Sequence, residues 1–152
     1  MADIVDKATR SRMMSGIKGK DTKPEIAIRK RLFAAGYRYR LHDKRLPGKP
    51  DLVLPKYNAV IFINGCFWHK HDCHLFKWPV TRKTFWKKKL TRNHEKDRET
   101  LFELNRIGWR VATIWECSFR GPGINKQKEI AKICKKVVKW LESKKVLLEI
   151  KV

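Results

Sequence analysis

The chain predicts an α/β fold with a central mixed sheet flanked by helices, and three observations carry that reading. Ala59 to Ile63 is a nearly unbroken apolar run, the pattern of a strand buried on both faces. A helical pattern from about Thr84 to Arg106 separates it from a second apolar strand, Trp109 to Trp115. A crossover of that length makes the two strands parallel neighbours. Only a short turn, Pro55 to Asn58, separates Leu52–Leu54 from the first run, so those two strands pair antiparallel. One strand with a parallel neighbour on one side and an antiparallel neighbour on the other defines a mixed sheet.

The remaining elements follow in order. Residues 1–20 are polar and basic, with Arg10, Arg12, Lys18 and Lys20 around Met13 and Met14, and lack a clear apolar period. They read as an arm that gains its contacts on a phosphate backbone. Residues 21–152 read as a single domain, long enough for a real core. Thr22-Lys23-Pro24-Glu25 is a helix start, with Thr22 as cap and Glu25 completing a capping box. Ile28, Leu32 and Phe33 form its apolar stripe, and Gly36 ends it. Tyr37, Tyr39 and Leu41 alternate with Arg38 and Arg40 as in a strand. Leu46 to Pro50 is a turn, and Asp51 opens the next strand. After Trp115, Gly121-Pro122-Gly123 turns the chain. A last helix, about Lys126 to Ser143, places Ile130, Ile133, Cys134, Val137, Val138 and Leu141 on one face. The tail, Val146 to Val152, reads as extended.

Charge narrows the class of partner. The chain has 37 Lys+Arg against 15 Asp+Glu, a net +22. Self-repulsion of that size is tolerated most simply where the partner is a polyanion, nucleic acid first and an anionic membrane surface second. No apolar run approaches the ~18 residues of a membrane span. The N-terminus lacks the basic-then-apolar pattern of a signal peptide, so a cytosolic location is expected. There the four Cys are thiols or metal ligands rather than disulfides.

The stretch with the most chemistry is Phe62 to Cys73, with two thiols, two imidazoles and adjacent aromatics in twelve residues. Parallel strands ending at Gly65-Cys66 and at Glu116-Cys117 bring Cys117 to this loop. Cys66, His71, Cys73 and Cys117 then form a closed Cys₃His set, the donor pattern of a structural zinc, with His69 and His74 as competing ligands. Cys134, on an apolar helix face, reads as core. Asp51 alone is an ordinary turn residue. The predicted pairing of its strand puts it beside Asn64 and the loop, where a carboxylate can hold Mg²⁺, with His69 and Glu25 expected close by. His69 can shuttle protons, and Asp97 can orient it or pair with a neighbouring base on its own helix. Phe67 and Trp68, with Trp86 at the start of the long helix, can wedge between base pairs.

These residues resemble the Vsr family of very short patch repair endonucleases. The matching stretches are Pro-Gly-Lys-Pro-Asp at 47–51, Val-Ile-Phe-Ile-Asn-Gly-Cys-Phe-Trp-His-Lys-His-Asp-Cys at 60–73 and Thr-Arg-Lys-Thr-Phe-Trp at 81–86. Gly-Trp-Arg-Val at 108–111, Trp-Glu-Cys at 115–117 and Asp-Lys-Ala-Thr-Arg-Ser-Arg at 6–12 complete them. The resemblance runs from about residue 3 to 121. It implies a restriction-endonuclease-like core of the PD-(D/E)XK type with a structural zinc. It implies a Mg²⁺-dependent enzyme that nicks DNA 5′ to the thymine of a T:G mismatch left by deamination of 5-methylcytosine. On that resemblance Asp51 and the backbone carbonyl of Ile63 bind Mg²⁺, His69 is the catalytic imidazole supported by Asp97, and Glu25 and Asn64 lie at the active site. Cys66, His71, Cys73 and Cys117 bind Zn²⁺. Phe67, Trp68 and Trp86 open the duplex, and the arm, with Arg10, Arg12 and Met14, clamps it. A monomer in the bacterial cytoplasm at the nucleoid is implied, with mismatch-repair proteins of the MutL type as partners and no membrane. A member of the family has Thr and His at positions 63 and 64, where this chain has Ile63 and Asn64. Asn64 can hydrogen-bond a phosphate or water but cannot take up a proton. The alternatives are a zinc-stabilised module that binds distorted DNA without cutting it, and a nuclease of the same fold with another specificity.

Overall fold

A computed structural model of the chain describes residues 22–152. The basic arm at 1–20, including Arg10, Arg12 and Met14, lies outside the described residues. Among the described residues the order is α1 (Lys23–Ala34), β1 (Arg40–Leu41), β2 (Leu52–Leu54), β3 (Ala59–Asn64), α2 (Lys83–Arg106), β4 (Arg110–Trp115), α3 (Lys126–Leu141) and β5 (Leu147–Ile150). The sheet order is β1-β2-β3-β4-β5. β1, β2 and β3 pair antiparallel, whereas β3, β4 and β5 pair parallel, giving the expected mixed sheet.

Side-chain alternation sends the two faces of the sheet to different helices. Leu52, Leu54, Ala59, Ile61, Ala112 and Ile114 pack on one face against Ile28 and Leu32 of α1 and Ile130, Ile133, Val137 and Trp140 of α3. Cys134 belongs to this core, and its thiol meets the Ile28 carbonyl at 3.7 Å. Val53, Val60 and Val111 face the other way, against Leu104 and Leu101 of α2. Each fully buried Leu or Ile contributes about 1.5–3 kcal/mol.

Helix ends are set by local chemistry. The Thr22 hydroxyl accepts the Glu25 N–H at 3.4 Å, which starts α1. The Glu25 carboxylate is turned inward, however, and meets Arg29 and His42, so the residue expected to close a capping box is spent on the core. α1 and α2 end alike. Gly36 and Gly108 both have φ +97°, and the residue after each, Tyr37 or Trp109, donates back to the carbonyl of Leu32 or Leu104. A left-handed residue there is what a Schellman motif requires, and glycine supplies it without steric cost. The strand expected over Tyr37–Leu41 shortens to Arg40–Leu41. Tyr37 is instead drawn into the core, where its hydroxyl donates to Glu142 Oε1 at 2.8 Å.

One guanidinium ties α3 to the sheet. Arg110, at the start of β4, donates to the carbonyls of Trp140 (2.6 Å), Ser143 (2.9 Å), Lys145 (3.0 Å), Leu141 and Tyr57 (3.3 Å each). Its planar head lies 4.6 Å from the centre of the Trp140 ring. The last carbonyls of a helix lack partners within the helix, and a cation there also meets the negative end of the helix dipole. Arg110→Met removes these donors while keeping an apolar stem. It is expected to lower unfolding stability by about 2–3 kcal/mol, read as a lower urea midpoint with an unchanged slope.

Candidate active site and metal centre

The pairing of β3 with β4 places Asn64 opposite Trp115, so the segments that follow both strands emerge at one edge of the sheet. Cys66 follows the first, and Cys117 sits in the 3₁₀ turn Glu116–Ser118 after the second. The Cys117 N–H points at Cys66 Sγ at 3.3 Å, and the His71 N–H donates to the Cys66 carbonyl at 2.9 Å. Ligand atoms of Cys66, His71, Cys73 and Cys117 all lie within 4.8 Å of one another, so these four can hold a metal ion. Neither expected competitor joins them. His74 Nε2 lies 3.0 Å from the Arg120 carbonyl, and His69 is engaged elsewhere. Burial, above all, pushes the Cys66 and Cys117 thiols up and the His71 imidazole down. The His71 ring stacks on Trp115, 4.0 Å between centres and 7° from parallel.

A second cluster forms on the other flank of β3. The short β2–β3 hairpin brings Asp51 to the end of β3, where Asp51 Oδ2 accepts the Ile63 N–H at 2.7 Å. The first turn of α1 inserts Glu25, only 2% exposed, whose Oε2 lies 2.9 Å from Arg29 Nη1. Between the two carboxyls stands His42, with Nε2 3.1 Å from Glu25 Oε2 and Nδ1 3.8 Å from Asp51 Oδ1. Sequence reading missed His42. Its only signal is its place opposite Asp51 across the β1–β2 hairpin, and an intervening loop of that length leaves the register open. Burial, above all, lifts the Asp51 carboxyl to about 7. The Ile63 N–H opposes that rise, the Glu25 carboxyl adds to it, and His42 works against it.

The expected partnership of His69 and Asp97 is present. His69 Nδ1 lies 2.6 Å from Asp97 Oδ2. α2 holds the loop at further points. Asn93 Nδ2 donates to the Trp68 carbonyl at 3.0 Å, and His94 Nδ1 lies 3.3 Å from the His69 carbonyl. Asn93, His94 and Asp97 share one helical face. The sequence shows that face only as part of a charged run, which is why Asn93 and His94 escaped notice. Asn64 lies on the α2 side of the sheet and, with Asp97, His94, His71, Trp115 and Glu149, lines a cavity of about 550 Å³.

Phe67, Trp68 and Trp86 touch one another, with ring centres 5.2 to 5.9 Å apart. Phe67 and Trp68 are half-buried and Trp86 is buried, so Trp86 is the base on which the other two rest. The aromatic surface continues through Phe76 and the exposed Trp78 on one side and the exposed Phe85 on the other. Lys70 lies over the Trp78 ring and Arg82 over Phe85.

The raised Asp51 carboxyl has a cost that can be measured. A group whose pKa is raised on folding favours the fold below its unfolded value near 4. That contribution is lost as pH climbs through the folded value of about 7. The full shift corresponds to about 4 kcal/mol, reduced to about 2 by residual solvent and relaxation. Asp51→Asn is therefore expected to stabilise the protein by about 2 kcal/mol at pH 8 in the absence of divalent cations, and by little at pH 4. Urea unfolding at the two pH values reads the difference.

The chain matches the family model described as DNA mismatch endonuclease Vsr over residues 2–75. It is 48% identical over 121 residues to the DNA mismatch endonuclease Vsr of Escherichia coli, an alignment covering 80% of this chain and 78% of that one. It is 44% identical over 128 residues to the Type II nicking enzyme V.NmeAIP of Neisseria meningitidis, covering 84% and 91%. It is 40% identical over 123 residues to the Type II nicking enzyme V.XorIIP of Xanthomonas oryzae, covering 81% and 90%. With this identity across most of both chains, added to the thiol-imidazole and carboxylate clusters at one sheet edge, the chain belongs to the Vsr family of DNA mismatch endonucleases.

Proposed function

We propose that this DNA-cleaving hydrolase is a Mg²⁺-dependent endonuclease. It nicks one strand 5′ to the thymine of a T:G mismatch produced by deamination of 5-methylcytosine, and so initiates very short patch repair. The observation that carries the reading is the grouping at the end of β3. Asp51 and Glu25 lie on one flank, and the His69–Asp97 pair is held in the loop that also bears Phe67 and Trp68. The domain, 21–152, is read as a restriction-endonuclease-like core of the PD-(D/E)XK type, preceded by the basic arm at 1–20.

Two neighbouring carboxyls, one buried and the other lifted by burial, suit a hard divalent cation, whose charge would offset what burial withholds. Asp51 would hold magnesium, with the Ile63 carbonyl as a further oxygen donor and Glu25 beside it. Magnesium, when bound, supplies the charge that polarises a phosphoryl oxygen and makes water more acidic. The remaining work belongs to the chain. Asp97 engages His69 Nδ1, which orients the ring and leaves Nε2 free to take or give a proton at the scissile phosphate. Asn64 offers a hydrogen bond and no proton uptake. Phe67 and Trp68, resting on Trp86, provide a wedge against stacked bases.

Cys66, His71, Cys73 and Cys117 would hold zinc. Their mutual distances suit a tetrahedral ion, in which ligand atoms stand about 3.5–4 Å apart. Four protein ligands fill a tetrahedral site, so the zinc would organise the loop rather than act on substrate. The arm, with Arg10, Arg12 and Met14, is read as a clamp on the phosphate backbone. A monomer acting with repair proteins of the MutL type in the bacterial cytoplasm completes the reading. Among the described residues no helix is long and apolar enough to cross a membrane.

A duplex with one T:G mismatch, incubated with protein and Mg²⁺, is expected to be nicked on the thymine strand, and the matched duplex to be spared. Asp51→Ala should lower the rate by about three orders of magnitude, and His69→Ala by about 10²–10⁴-fold, both with duplex binding retained. Equal nicking of matched duplex would replace the reading with a same-fold nuclease of other specificity. Binding without any nick would leave a zinc-stabilised recognition module. Elemental analysis should return one zinc per chain, and its removal by a chelator is expected to lower the melting temperature by roughly 10 °C.

A further inference from the structure

We propose that His42 is a further side-chain ligand of the divalent cation held by Asp51, beside Glu25, at the candidate active site, and that its imidazole biases that site toward Mn²⁺ and Co²⁺ over Mg²⁺. The inference rests on the reading of Asp51 as the metal-binding carboxylate and adds to it a ligand and a metal preference.

The backbone already places His42. Leu41 pairs with Leu52, and one step further the His42 N–H donates to the Asp51 carbonyl at 3.2 Å, so the two side chains stand opposite one another across the hairpin. His42 has φ +48°, in the left-handed region. Histidine is among the few side-chain-bearing residues enriched there, yet the conformation is still sparsely populated, and such outliers collect at functional sites. The outcome here is a ring set between two carboxyls from different elements, Glu25 on α1 and Asp51 at the start of β2.

The distances suit a shared ion. Two donors in adjacent octahedral positions, each about 2.1 Å from the metal, stand roughly 3 Å apart. His42 Nε2 and Glu25 Oε2 are 3.1 Å apart, and one donor atom from each of the three residues lies within 4.8 Å of the other two. An oxygen-only site suits magnesium, which prefers oxygen ligands and gives up its waters reluctantly. A nitrogen donor shifts the balance toward first-row transition metals, whose affinity for imidazole exceeds that of magnesium. The ring is half-buried and the Glu25 side chain is almost fully buried, so the site is pre-formed on the protein before any phosphate arrives.

The test follows Mn²⁺ by electron paramagnetic resonance in zinc-loaded, full-length protein. Mn²⁺ is expected to bind at one site that Asp51→Asn abolishes. Spin-echo modulation should show a directly bound nitrogen, and ¹⁵N-histidine labelling should change that modulation to the ¹⁵N pattern. In His42→Gln the nitrogen signal should disappear, and Mn²⁺ affinity should fall roughly tenfold. Mg²⁺ affinity, measured by competition, should change by less than about threefold. An Asp51-dependent Mn²⁺ with no nitrogen coupling in the unaltered protein overturns the proposal, leaving His42 as a positioning residue for Glu25. Nitrogen coupling that persists in His42→Gln overturns it in favour of another imidazole. Mn²⁺ that binds independently of Asp51, or that does not bind, overturns the metal-site reading itself and this proposal with it.

Discussion

The register between β3 and β4 is the constraint on which the rest of the site depends. With Asn64 opposite Trp115, both strands stop at the same level, and the chain leaves them side by side. Cys66 and Cys117, fifty-one positions apart in sequence, become neighbours without any contact of their own having to close that distance. A one-residue slip would send Trp115 to the opposite face of the sheet and remove the plate on which His71 stacks. β3 also pairs antiparallel on its other side, and that pairing brings Asp51 to the Ile63 N–H. One strand therefore has two unlike neighbours. The parallel one delivers a thiol, and the antiparallel one delivers a carboxyl.

This arrangement explains why so much could be read from the sequence. A short hairpin and a long helical crossover each fix a strand direction, and from directions alone the meeting of Cys66 with Cys117 and of Asp51 with the end of β3 follows. The apolar stripe of α3 and the core position of Cys134 were legible for a similar reason, since a helical period survives any choice of partner. What escaped was set by register or by tertiary direction. His42 faces Asp51 only because the β1–β2 hairpin closes at one register among several. Asn93 and His94 face the loop only because α2 lies across that side of the sheet. Glu25 has the right spacing for a capping box, yet it turns inward, because Arg29 and His42 offer a buried carboxylate charged and polar partners.

Between β3 and α2 lie eighteen residues without a helix or strand. A segment of that length ordinarily loses too much conformational entropy to stay in one conformation. Here three sets of contacts restrain it. Cys66, His71 and Cys73 gather at Cys117, α2 holds the Trp68 and His69 carbonyls and the His69 ring, and Phe67 and Trp68 lean on buried Trp86. The contacts interleave along the sequence, so Phe67, Trp68 and His69 are ordered by the same structure. Gly121 belongs to it as well. Its φ of +148° is a conformation that residues with a side chain rarely adopt, so the turn after Cys117 favours glycine.

Asn64 ends β3 on the α2 side and shares a cavity with Asp97, His94 and His71, so the polar surroundings of that position remain rich in imidazole and carboxylate. His69 keeps its Asp97 partner on one flank, and His42 stands between Glu25 and Asp51 on the other. The two imidazoles thus keep different company. The one in the loop is placed by Asp97 of α2 and follows Phe67 and Trp68 in the chain. The one on the β1–β2 hairpin is placed by backbone pairing and belongs with the carboxyls. The two imidazoles are therefore held by different elements, one by Asp97 of α2 and the other by the backbone pairing of the β1–β2 hairpin.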